Sequence, residues 1–204
     1  MTAGLSFIHR FEQGSGAGGT AFLLLHGTGG DENDLVPLGR MIAPTAPLLS
    51  PRGKVLENGM PRFFRRLADG VFDEDDVRRR ADELADFVRE ARKAYGLSEL
   101  IAIGYSNGAN VAAAMLLLRP QTLHGAILLR AMVPLSDAPS ANLPGTPVLI
   151  LSGAADPIIT PAKAAQLAAL LQAAGAKVEH HTLPVGHELS QADITLARKW
   201  LGSL

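Results

Sequence analysis

Runs of apolar residues alternate along this chain with segments of mixed polarity. TAFLLLHG, at 20–27, holds five apolar residues in a row bounded by glycines. That pattern fits a strand buried on both faces, as in a parallel sheet. ELIAIG at 99–104, LHGAILLR at 123–130 and TPVLILSG at 146–153 share it, and AKVEHHTL at 176–183 reads as another strand. APLLSP at 46–51 is a weaker strand, and LSFIHRF at 5–11 a short alternating one at an edge. Between the strands the period changes. Over 73–95, Val77, Ala81, Leu84, Val88, Ala91 and Tyr95 recur at spacings of three and four, which predicts a helix with one apolar face. Acids at 73–76 suit its positive N-terminal end and Gly96 its stop. Further helices are expected from 34–41, over 108–118, over 162–174, and over 190–201 with Ser190 as cap. GSGAGG at 14–19 reads as a glycine-rich loop, and 52–72, with no clear period, as a long one.

Strands alternating with helices imply right-handed crossovers and a mostly parallel sheet with helices on both faces. With 204 residues and no linker or repeat, a single domain over 1–204 is expected. Hydrophobic residues make up 47%, enough for a sizeable core. The formal net charge of -1, from 19 Lys+Arg and 20 Asp+Glu, gives no electrostatic case for nucleic acid or an anionic membrane. The absence of cysteine excludes disulfides, thiolate metal sites and a cysteine nucleophile. The opening MTAGLSFIHRFEQ has no signal-peptide pattern, and no apolar run approaches the ~18 residues of a membrane span. A cytoplasmic location without membrane insertion is the expectation.

The chemistry begins at IAIGYSNGAN, 101–110, where a serine stands between two glycines after a buried strand and before a helix. Strand, tight turn and helix are the context of a nucleophile elbow. Such a turn strains the serine backbone and lifts Oγ clear of the sheet. Its neighbours must be glycine, because strand and helix leave no room for a Cβ. The same motif arises by chance at plain strand-to-helix loops. A serine hydroxyl also needs a base, and the base an orienting acid, in the chain order Ser, Asp or Glu, His at strand ends. Asp156, in SGAADPIIT just past a strong strand, meets that order. Asp137, in VPLSDAPS, is the rival, but lies farther past its strand. His187, in VGHELS, follows the last strand, whereas His180 and His181 lie within that strand and His124 at the start of another. For an oxyanion, the glycines of LLLHGTGGDEND at 23–34 let the backbone point an N–H outward. Thr28 N–H is the first donor by position, and the N–H of Asn107, after the serine, the second. That loop lacks the lysine and the spacing of nucleotide motifs. Its acids Asp31, Glu32 and Asp34 read as a solvated loop or a helix cap rather than a cation site, and the six histidines show no metal-ligand spacing. No metal and no cofactor is expected.

Taken in order, LLLHGTGGDENDLVPL, GYSNGAN, SGAADPIIT and VGHELS resemble the phospholipase/carboxylesterase branch of the α/β-hydrolase superfamily, which includes the acyl-protein thioesterases. The resemblance covers nearly the whole chain and is closest to small bacterial carboxylesterases. It implies the α/β-hydrolase fold, nucleophile Ser106, acid Asp156, base His187, and oxyanion donors Thr28 and Asn107. One departure bears on acyl preference: thioesterases of this family usually carry glutamine where this chain has Asn107. Dienelactone hydrolases, a neighbouring branch, use a cysteine that is absent here.

The reading is a serine carboxylesterase that hydrolyses small or short-chain esters through an acyl-enzyme. No insertion is long enough for a lid domain, so the pocket should be shallow and open. Phe63, Phe64, Leu67 and Met132 are candidates for its apolar wall, each equally well suited to the core. The expected partner is a small-molecule ester, with a homodimer left open. Alternatives are an acyl thioesterase or lysophospholipase, and a non-catalytic binding protein on the same fold.

Overall fold

The computed structural model describes residues 4–15, 19–68, 70–139 and 141–204. The expected loop at 14–19 therefore falls in part, at 16–18, outside the described residues, as does the start of the N-terminal segment at 1–3. The core is a seven-stranded sheet. In spatial order it contains β1 (His9–Glu12), β3 (Leu48–Pro51), β2 (Ala21–Leu25), β8 (Leu100–Tyr105), β9 (Gly125–Leu129), β10 (Pro147–Gly153) and β11 (Lys177–Leu183). Only β1 runs antiparallel, paired with β3 at the edge; the other pairs are parallel.

Unbroken apolar strands require cover on both faces, and they have it. Leu23 and Leu25 of β2 join one core with Ala102 of β8, Ala126 and Leu128 of β9, and Val148 and Ile150 of β10. That core is closed by α2 (Glu74–Tyr95), α3 (Asn107–Leu118) and α4 (Pro161–Ala173). The alternate residues, among them Leu24, Ile103, Ile127 and Leu149, join the opposite core under α1 (Val36–Ile42) and α5 (Gln191–Leu201). Each fully buried leucine contributes about 1.5–3 kcal/mol relative to exposure, so the two-sided burial fixes the strand register firmly.

The long helix α2 follows its period. Val77, Ala81, Leu84, Val88 and Ala91 are buried. Asp73 Oδ1 caps its start by accepting from Asp76 N at 3.1 Å, and Gly96 ends it with φ +66°. The serine at 190 also begins its helix as expected. Asp193 Oδ2 accepts from Ser190 N at 2.8 Å and from Ser190 Oγ at 2.9 Å.

The segment 52–72 differs from the expectation of an unstructured loop. It contains two short hairpins, β4 (Val55–Glu57) with β5 (Met60–Arg62), and β6 (Arg66–Ala68) with β7 (Val71–Phe72). The first turns on Asn58-Gly59, with φ +51° and +80°. Two positive φ angles in a two-residue loop are what an Asn-Gly turn supplies. That dipeptide was the legible signal, masked by strands too short to show a period.

Chain order makes a crevice. From β2 the chain passes through α1 to β3 on one side, while from β8 it passes through α3 to β9 on the other. The loops leaving the C-terminal ends of β2 and β8 thus diverge, and such a point is where open parallel sheets bind ligands.

Candidate active site

Ser106 lies at the tip of β8, immediately before α3, with φ +52° and ψ −112°. A non-glycine residue in the left-handed region costs about 1–3 kcal/mol and persists only where the surroundings hold it. Here Ser106 N donates to Leu129 O at 2.9 Å, and Ser106 O accepts from Asn110 N at 3.0 Å. The flanking glycines are required by space. A Cβ on Gly108 would lie 2.0 Å from Leu25 O, and one on Gly104 2.7 Å from the Ala109 backbone.

Two further strand ends converge on the serine. His187, in the loop after β11, brings Nε2 to 3.0 Å from Ser106 Oγ. Its Nδ1 lies 2.7 Å from Asp156 Oδ2, in the loop after β10. Asp156 is fixed in turn, since its Oδ1 accepts from Ile158 N at 2.8 Å and Ile159 N at 2.9 Å. Its side chain is fully buried while that of His187 stays 18% exposed, so the pair is dry at the acid and open at the base. The two loops pack closely enough that a Cβ on Gly153 would lie 2.2 Å from Gly186 O. With Asp156 accepting from Nδ1–H, Nε2 is left as an acceptor for the Ser106 hydroxyl, the tautomer a general base requires.

The loop after β2 borders the same space. Among the described residues, the backbone N–H groups of Thr28 and Asn107 make no hydrogen bond. Both residues line a cavity of about 280 Å³ with Ser106 and His187. The loop is braced from below by His26. This buried ring donates from Nδ1 to Gly27 O at 2.7 Å and accepts at Nε2 from Gly53 N at 3.0 Å. Only the neutral ring can do both. Burial, opposed by the carboxylates of Asp34, Asp31 and Glu32, holds its pKa below the ordinary value. In the window below ~6.5 the unfolded chain takes up a proton that the folded His26 refuses, so stability falls as pH falls. Thermal melts of wild type and His26→Gln between about pH 7 and 5 should show a shallower fall in Tm for the variant. Equal slopes would mean that His26 is not the titrating group. His180, half-buried, is also lowered by burial and acts in the same direction.

The phospholipase/carboxylesterase pattern matches residues 11–203. A crystal structure of a Bacillus cereus carboxylesterase is 45% identical and superposes with a TM-score of 0.94, covering 97% of this chain and 94% of that one. The Bacillus subtilis protein MhqD, described as a hydrolase, is 45% identical over 194 residues, 94% of this chain and 96% of its own length. A Mesorhizobium loti carboxylesterase is 37% identical with a TM-score of 0.87, covering 91% of this chain and 89% of that one. The chain belongs to the phospholipase/carboxylesterase family. It is accordingly an enzyme of the serine-hydrolase class, with the α/β-hydrolase fold.

Within this family member the expected pocket wall needs correction. Phe63 and Phe64 are 3% and 0% exposed, pack in the core with residues of α2 and α3, and are not among the residues that line the cavity. Leu67 is 71% exposed on β6 and does not line the cavity. Of the four, only Met132 borders it, with Phe72, Ile158, Ile159, Tyr105 and Asn110. Sequence reasoning missed Ile158 and Ile159 because they flank the acid rather than the serine, and Phe72 because its hairpin has no period. Two arginines of the hairpin region, Arg62 and Arg66, also border the cavity. Arg62 Nη1 donates to Thr28 Oγ1 at 2.9 Å and to Glu57 Oε2 at 2.9 Å, joining the hairpin to the loop after β2. Asn107 makes a second tie, its Oδ1 accepting from Phe63 N at 2.7 Å.

The remaining candidates lie elsewhere. Asp137, the rival acid, is 82% exposed and pairs with Arg78. Glu32 is engaged by Arg52, with Nη2 at 2.8 Å, which holds its carboxyl below the usual range. No cluster of three metal-ligating side chains occurs among the described residues. No helix among them is long and apolar enough to cross a membrane.

Proposed function

We propose that this enzyme is a serine carboxylesterase of small or short-chain esters, with Ser106 as nucleophile, His187 as base and Asp156 as its orienting acid. The observation that carries the proposal is the unbroken relay from Ser106 Oγ to His187 Nε2 at 3.0 Å and from Nδ1 to Asp156 at 2.7 Å. His187 takes the Ser106 proton as Oγ attacks the ester carbonyl. The resulting oxyanion is stabilised by the N–H groups of Thr28 and Asn107, aided by the positive end of α3. Collapse expels the alcohol, which leaves with the proton from His187. Water, deprotonated by the same ring, then hydrolyses the acyl-enzyme, releasing the acid and restoring Ser106.

Support for small substrates comes from the cavity. A volume of about 280 Å³ beside Ser106 suits a short acyl or alcohol group, and Met132, Phe72, Ile158 and Ile159 give it an apolar part beside polar residues such as Arg62 and Asn110. The related proteins named as carboxylesterases support ester hydrolysis as the reaction. Rates should be compared for p-nitrophenyl acetate, butyrate and decanoate, an acyl thioester and a lysophospholipid. The expected outcome is highest kcat/KM for the two short esters. A higher value for the thioester or the lysophospholipid would replace the proposed substrate class.

A further inference from the structure

Arg130 follows β9 and plays no part in the relay, yet its surroundings are unusual. Its side chain is fully buried and its backbone sits at φ +57°. Burying a guanidinium is costly unless every donor finds a partner. Here Nη1 donates to Asp193 Oδ1 at 2.7 Å and Nη2 to Asp193 Oδ2 at 3.0 Å, a two-pronged pair. The other donations go to main-chain carbonyls. Nη1 reaches Leu151 O at 3.1 Å, Nε reaches Gly186 O at 3.1 Å, and Nη2 reaches Glu188 O at 2.8 Å. The last two carbonyls belong to the residues on either side of His187. The carbonyl of His187 itself accepts from Tyr105 Oη at 3.2 Å, and Tyr105 directly precedes Ser106. Asp193 completes the unit, because its Oδ2 also accepts from Ser190 N and Oγ at the start of α5.

We infer that Arg130 and Asp193 form a buried clamp that positions His187, gripping the carbonyls of Gly186 and Glu188 so that the ring meets both Ser106 and Asp156. The loop at 184–190 carries no helix or strand, so nothing in its own secondary structure fixes the ring. A flexible loop would let Nε2 wander, and a shift of about 1 Å at such a contact can cost ~100-fold in rate. A planar fork suits the task, since its donors leave from separate nitrogen atoms in fixed directions, whereas those of an ammonium group all leave from one atom. Arg130 and Asp193 are therefore positioning residues that act through His187.

Two variants test the clamp. Arg130→Lys keeps the charge and loses the fork. The double variant Arg130→Met with Asp193→Leu removes both charges, so that no unpaired ion stays buried. Leu171→Ala, in the core under α4, serves as a control for lost stability alone. Rates are expressed per site titrated with a fluorophosphonate. Both clamp variants should lose ~10- to 100-fold in kcat with KM within about twofold, while the control keeps wild-type kcat. Wild-type kcat in both clamp variants, or an equal loss in the control at matched Tm, would overturn the inference. If neither clamp variant yields folded protein, the pair is a folding element and the positioning role is rejected.

The inference rests on the esterase reading, so the clamp is also followed without substrate. The far-downfield proton signal of His187 Nδ1–H, donated to Asp156, should appear in wild type and in Leu171→Ala and be lost in folded clamp variants. Its persistence in the clamp variants would reject the clamp. A wild type that shows the signal but hydrolyses no ester would reject the esterase reading, and the clamp would then stand or fall on the signal alone.

Discussion

Ser106→Ala is expected to lower kcat for short-chain esters by ~10⁶-fold, the scale seen when a triad nucleophile is removed. The loss is large because no other hydroxyl can take its place. Ser106 alone stands at the strained turn, with its Oγ 3.0 Å from His187 Nε2 and in the cavity shared with Thr28 and Asn107. The Tm should move little, since alanine keeps the backbone, and the backbone is held by Leu129 O and Asn110 N rather than by Oγ. A fluorophosphonate should label wild type at Ser106 and leave the variant unlabelled, as read by peptide mass. Residual turnover within tenfold of wild type would sink the nucleophile assignment.

Asp156→Asn should cost ~10⁴-fold in kcat, by analogy with the same change in a serine-protease triad. The geometry explains why an isosteric change matters. Oδ1 already accepts from Ile158 N and Ile159 N, so asparagine would keep its oxygen there and turn its NH₂ toward His187. An amide donor facing Nδ1 favours the tautomer with the proton on Nε2, which can no longer accept from Ser106. Asp137→Asn should change kcat by less than about twofold, because Asp137 is a solvated partner of Arg78. Steady-state kinetics of the two variants side by side decide the matter. A larger loss from Asp137→Asn would move the acid to that position.

The ease of reading differed along the chain for physical reasons. Strands β2, β8, β9 and β10 announced themselves, because burial on both faces demands near-continuous apolar residues. Helix α2 did so through its period, with Asp73 and Gly96 at its ends. The serine elbow was legible because glycines flank the serine, and the backbone packed around Gly104 and Gly108 leaves no room for a Cβ. The hairpins of 52–72 offered little to read beyond the Asn58-Gly59 dipeptide. Their strands of two or three residues are held by partners distant in sequence, such as Asn107 Oδ1 on Phe63 N and Pro61 O on Gly29 N. The pocket wall failed for the same reason. Apolarity marks Phe63, Phe64 and Leu67 equally, and only the folded chain assigns two to the core and one to solvent.

By itself, then, the sequence determined what local patterns can encode. It set the alternation of strands and helices, the parallel sheet, the elbow serine, and an acid and a histidine following later strands in the right order. Tertiary structure decided everything that depends on two distant segments meeting. It chose Asp156 over Asp137 as the carboxylate beside His187, lined the cavity with Ile158, Ile159 and Phe72, and set Arg130 under the loop that carries His187. The physical reason is that periodicity and turn chemistry act within a few residues. Hydrogen-bond distances of about 3 Å between groups dozens of residues apart are fixed only when the whole sheet and its helices pack.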